Sequence, residues 1–95
     1  MNPRFPIIPE NDITILTNLL STKEGHTVIS TPQRNGIWLH DVMYETELRI
    51  LLLMNIRLTI TNVNFCVRRQ GTMTQVLQIL LEFCRRNSIP TICIQ

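Results

Sequence analysis

A chain of 95 residues closes a single core and buries only about 60–65% of its unfolded surface, which excludes a multi-lobed enzyme. Hydrophobic residues make up 44% and charged residues 17%, a globular balance, and no apolar run approaches the roughly 18 residues that span a bilayer. The formal charge of +2 is small for a protein held to nucleic acid by phosphate contacts, and the few aromatics form no stacking platform in the sequence.

The charge is unevenly spread. Residues 1–48 carry Arg4, Lys23 and Arg34 against Glu10, Asp12, Glu24, Asp41, Glu45 and Glu47, whereas residues 49–95 carry Arg49, Arg57, Arg68, Arg69, Arg85 and Arg86 against Glu82 alone. An anion is therefore expected to meet the second half, and arginine forks suit phosphate or carboxylate. Cys66, Cys84 and Cys93 are odd in number and show no CxxC spacing, so the expectation is reduced thiols in a cytoplasmic protein, with no disulfide and no metal site. Prolines at 3, 6 and 9 interrupt the start of the chain, which predicts an extended arm over residues 1–9 rather than a signal peptide.

In chain order, Asn11 or Asp12 is a good N-cap, Ile13, Leu16, Leu19 and Leu20 form an apolar stripe, and Gly25 can end the helix. Residues 26–31 and 37–42 read as two antiparallel strands, with Asn35-Gly36 supplying the positive φ angles of a hairpin turn. Residues 44–55 are open between buried strand and buried helix, Glu45, Glu47, Leu and Met favouring helix. Residues 57–67 alternate and are rich in β-branched types, which predicts a strand. Met73, Val76, Leu77, Leu80, Leu81 and Cys84 keep helical spacing over residues 72–87, Pro90 blocks continuation, and Thr91 to Ile94 is a final short strand. Residues 57–95 thus form a strand, loop, helix and strand, with a crossover long enough to make the two strands parallel neighbours.

The turn from strand to helix, Val67-Arg68-Arg69-Gln70-Gly71-Thr72-Met73-Thr74, combines two arginines and a glycine with the unpaired N–H groups of a helix start. This is the chemistry of an anion site. At this point the segment from Val63 to Met73 resembles the strand–loop–helix motif of the GNAT N-acetyltransferase superfamily, with Arg68 at the motif's first position and Gly71 at its first glycine. The resemblance implies an α+β fold, a mixed sheet flanked by helices, over a single domain of residues 1–95. It further implies acetyl-CoA as cofactor, its pyrophosphate held by the loop and its pantetheine arm along Phe65, Cys66 and Val67. The implied cofactor-binding set is Phe65, Cys66, Val67, Arg68, Arg69, Gln70, Gly71, Thr72, Met73 and Thr74.

The sequence departs from that motif in three places. Met73 replaces a small residue, no carboxylate lies on strand 57–67, and the chain stops at Gln95, just after the family's fifth strand. An activity that moves an acetyl group to an amine is the implied function, but catalytic residues stay unidentified. Asp41, His40, Glu45 and Glu47 have the chemistry of a proton acceptor, and Tyr44 is the one phenol, though a buried aromatic is its plainer role. The other reading is a non-catalytic interaction or regulatory protein, a homodimer through the apolar run 48–54 or one bound to a protein partner. Cys66, the thiol at the strand end beside the loop, reads either as a reactive group or, more plainly, as a small buried hydrophobe, and membrane and nucleic-acid partners are not expected.

Overall fold

The computed structural model describes residues 8–54, 56–67 and 71–95. The element order is α1 (Glu10–Glu24), β1 (Ile29–Gln33), β2 (Gly36–His40), β3 (Glu47–Leu53), β4 (Arg57–Asn64), α2 (Thr72–Arg86) and β5 (Thr91–Ile94). The five strands form one mixed sheet in sequential order: β1 to β4 are an antiparallel meander, and β5 joins β4 in parallel. The α+β class with a mixed sheet is the one the resemblance implies, and the parallel return through a helix is as the periodicities predict.

Alternation explains the core. Ile37 and Leu39 on β2, Leu48, Ile50 and Leu52 on β3, and Leu58 and Ile60 on β4 all point to one face and are buried. Leu16 and Leu20 of α1 and Val76, Leu80 and Phe83 of α2 cover that face in a single cluster. Both helices therefore lie on one side, and a bidentate bond from Arg86 to Asp12, 2.9 Å to each oxygen, ties the end of α2 to the start of α1. The charges also oppose the helix dipoles favourably at both ends. The stripe of α2 differs from the prediction at Leu81, which is 57% exposed, while Phe83 fills the core instead.

The other sheet face has no helix over it among the described residues. Trp38 lies there, its indole N–H donating to Glu47 Oε2 at 3.0 Å, with the Arg49 guanidinium 5.1 Å from the ring centroid. Tyr44 stacks on Trp38 and His40 at 5.4 and 4.9 Å. It is half exposed, not the buried aromatic expected.

Several local readings change. The cap of α1 is Pro9, whose carbonyl accepts the Ile13 N–H at 3.0 Å, so Asn11 and Asp12 belong to the first turn. Gly25 ends the helix in the left-handed region at φ 75°, as expected. Asn35 and Gly36 do not have positive φ. Gly36 is instead a strand residue packed so closely on β3 that a Cβ there would run into the Ile50 carbonyl. Within residues 44–54 the structure is strand over Glu47–Leu53, residue 55 lying outside the described residues: β3 alternates buried and half-buried, and its outward Arg49, Leu51 and Leu53 hide the period by being mostly apolar. The run 48–54 is therefore covered internally on one side, leaving Leu53 and Met54 exposed.

The β3–β4 ladder contains a bulge. Glu47 pairs with Asn64 and Arg49 with Thr61, so two residues of β4 face one of β3, and Asn62 takes φ 53°. Pairing with β5 stops at Ile60, and beyond it β4 has no described partner on that side.

Candidate functional site

The C-terminal end of α1, the loop 41–46 between β2 and β3, the end of β4 and the start of α2 meet at one end of the sheet. Crevices at the carboxyl ends of parallel strands are common ligand sites. Here the chain places Glu24, a buried carboxylate on the last residue of α1. A negative charge at a helix C-terminus opposes the dipole, so something must hold it. Three donors do: the Thr46 hydroxyl at 2.5 Å and the Cys66 N–H at 2.6 Å on Oε1, and the Val67 N–H at 2.8 Å on Oε2.

Thr46 is fully buried and central. Its only hydroxyl hydrogen goes to Glu24, so His26 Nε2, 2.7 Å from the same oxygen, donates. Asp41 closes the loop: Oδ1 accepts the Thr46 N–H at 2.9 Å and Oδ2 the Met43 N–H at 3.2 Å, while His26 Nε2 stands 4.0 Å from Oδ2. The Thr46 N–H above all, with that of Met43 and the nearby His26, holds the Asp41 carboxyl below its ordinary value against the opposing effect of burial.

This network explains three strand limits that differ from the predicted ones. Val28 gives its N–H to Ser21 Oγ at 2.9 Å, so β1 starts at Ile29 rather than at residue 26. Asp41 bends the chain after His40, so Val42 is not in β2. Cys66 and Val67 commit their N–H groups to Glu24, so β4 ends at Asn64.

The predicted cofactor set is partly described. Phe65 packs on the core and Met73 is half-buried against it, so the long side chain at 73 points inward. Cys66 is exposed, not buried. Loss of water around the thiol, with the Glu45 hydrogen bond and the Glu24 and Glu45 charges, raises its pKa from the ordinary value against a lowering contact from Thr46. Gly71 adopts φ 69° with open space where a Cβ would be, so conformation rather than close approach requires glycine there. The Thr72 hydroxyl is buried with no partner among the described residues, and Thr74 is exposed. Arg68, Arg69 and Gln70 lie outside the described residues.

Of the proposed proton acceptors, Asp41 belongs to the network and Glu45 borders it, its Oε2 3.5 Å from Cys66 Sγ. Glu47 does not, since it holds Trp38, and His40 touches the network at the Asp41 carbonyl, 3.0 Å from its Nδ1, while its Nε2 lies 2.9 Å from Thr31 Oγ1. The sequence reading missed Glu24 and Thr46 altogether. A carboxylate on the last helical residue, directly before a terminating glycine, was the available signal. Comparison with known proteins finds no matching family model, no similar curated protein and no similar solved structure.

Proposed function

We propose that this chain is a GNAT-like acyl-CoA-binding domain in which acyl-CoA lies along the free edge of β4 and its phosphates meet the turn into α2. The observation that carries the reading is the end of β4–β5 pairing at Ile60. Among the described residues Thr61 to Asn64 have no strand partner on that side, and the bulge at Asn62 re-aims backbone groups at that point. Cys66 and Val67 already give their N–H groups to Glu24, so the pantetheine arm is assigned to residues 61–65 rather than to 65–67. Gly71 in the left-handed region and the Thr72 hydroxyl, which has no partner among the described residues, suit an anion at the start of a 15-residue helix, with Arg68 and Arg69 supplying charge. If the domain is an N-acetyltransferase, positioning and carbonyl polarisation supply most of the rate, the amine being brought to the thioester at this edge.

Thermal unfolding with acetyl-CoA tests the reading. Ligand at a hundred times its Kd adds about 2.7 kcal/mol, a rise in Tm of roughly 10 °C or more for a chain of this size. The rise should shrink on Arg68→Ala with Arg69→Ala. An unchanged Tm at millimolar acetyl-CoA refutes cofactor binding.

A second reading, a non-catalytic homodimer, is favoured by one feature. Leu53, Met54 and Ile56 are 49%, 46% and 56% exposed around the β3–β4 turn, and burying them between two copies would remove an apolar patch from water. Sedimentation of Met54→Lys against the parent chain distinguishes a dimer from a monomer.

A further inference from the structure

The residues that meet beneath Thr46 include three of different ligand chemistry: the Glu24 carboxylate, the His26 imidazole and the Cys66 thiol. One ligand atom from each lies within 4.8 Å of the other two. We propose that these three form a zinc-binding site, independent of whether the domain binds acyl-CoA. Thiolate, imidazole and carboxylate together are a zinc donor set, and three protein ligands leave a fourth, open position for water or a substrate atom.

The surroundings fit a cation. Glu24 and Asp41 are buried and Glu45 lies beside the thiol, and the His26 imidazole is hydrogen-bonded within the same group. With Cys66 as thiolate and Glu24 as carboxylate, a divalent ion makes the three-ligand set neutral. Glu24 Oε1 accepts two hydrogen bonds, whereas Oε2 accepts one from the described residues, that of the Val67 N–H, and is the oxygen with room for a metal. The Cys66 and Val67 amides then act as the outer partners that fix a ligating carboxylate. Binding converts Cys66 S–H to a sulfur–metal bond and releases one proton to solvent. His26 binds as neutral imidazole, its proton on the ring nitrogen that does not bind. The ligands are separated by 2 and 40 residues in the chain, which is why spacing predicts no metal.

Cobalt(II) added to the chelator-treated, reduced full chain tests this. The expected result is a 1:1 complex with thiolate-to-cobalt charge-transfer absorption, displaced by zinc. Cys66→Ser should abolish that absorption, His26→Ala should weaken binding at least about ten-fold, and Cys84→Ser and Cys93→Ser should leave it unchanged. In the unmodified chain, zinc should slow alkylation of Cys66, a readout that needs no variant to fold. Absence of charge transfer at saturating cobalt, its survival in Cys66→Ser, or alkylation of Cys66 unaffected by zinc each overturns the site.

Discussion

Replacing Glu24 by glutamine keeps the shape of the side chain but leaves one acceptor oxygen where three donors converge. The amide NH2 must then face at least one of the Thr46 hydroxyl, the Cys66 N–H and the Val67 N–H. Hydrogen bonds to a charged group contribute about 1.5–3 kcal/mol and neutral ones about 1, and an orphaned buried donor costs about 1–3. Thr46 is fully buried, whereas Cys66 and Val67 sit near the surface and can recruit water. Glu24→Gln is therefore expected to destabilise by roughly 2–3 kcal/mol. In urea, with a slope of about 1 kcal/mol/M, the midpoint falls by about 2–3 M. Thr46→Val removes one donor to the same oxygen and should cost about 1–2 kcal/mol alone. Because the two side chains share a bond, the double variant should cost about 1 kcal/mol less than the sum. A Glu24→Gln chain within about 0.5 kcal/mol of the parent, or strict additivity in the cycle, refutes Glu24 as the anchor of this end.

Two further outcomes follow from other positions. Gly36→Ala puts a methyl into the Ile50 carbonyl and can be accommodated only by parting β2 from β3, so a loss of about 3 kcal/mol or more is expected in thermal or urea unfolding; a neutral effect would mean the strands are not so close. Asp41, whose pKa is lowered in the folded chain chiefly by the Thr46 N–H, binds fewer protons folded than unfolded. Its contribution is complete above the ordinary value of 3.8 and is lost as pH falls through the lower folded value, so Asp41→Asn should flatten the pH dependence of stability below about pH 4, measured by acid titration in dilute urea.

Residues with one dominant period were legible in the sequence. The apolar stripe of α2 and the alternation of β4 each pointed to their element and to the parallel return into β5. β3 was not legible, because Leu51 and Leu53 are apolar on the uncovered face and erase the contrast that alternation needs. The Asn-Gly pair suggests a turn because glycine supplies conformational freedom, whereas the strand spacing requires Gly36 for want of a side chain. The meeting point of Glu24, His26, Asp41, Thr46 and Cys66 was invisible because the contacts that join α1 to the loop 41–46 and to the end of β4 are long-range, although those of Asp41 with Met43 and Thr46 are local. Glu24 reaches residues 42 and 43 positions away, and no short motif records that.

That separation has a kinetic consequence. The Glu24 clasp closes a segment containing the whole antiparallel meander, and loop closure of that length is entropically repaid only after the strands are paired. The clasp therefore belongs to the native side of the folding barrier. Weakening it should leave the refolding rate nearly unchanged and accelerate unfolding, so this end of the sheet governs how long a folded molecule lasts rather than how quickly it forms.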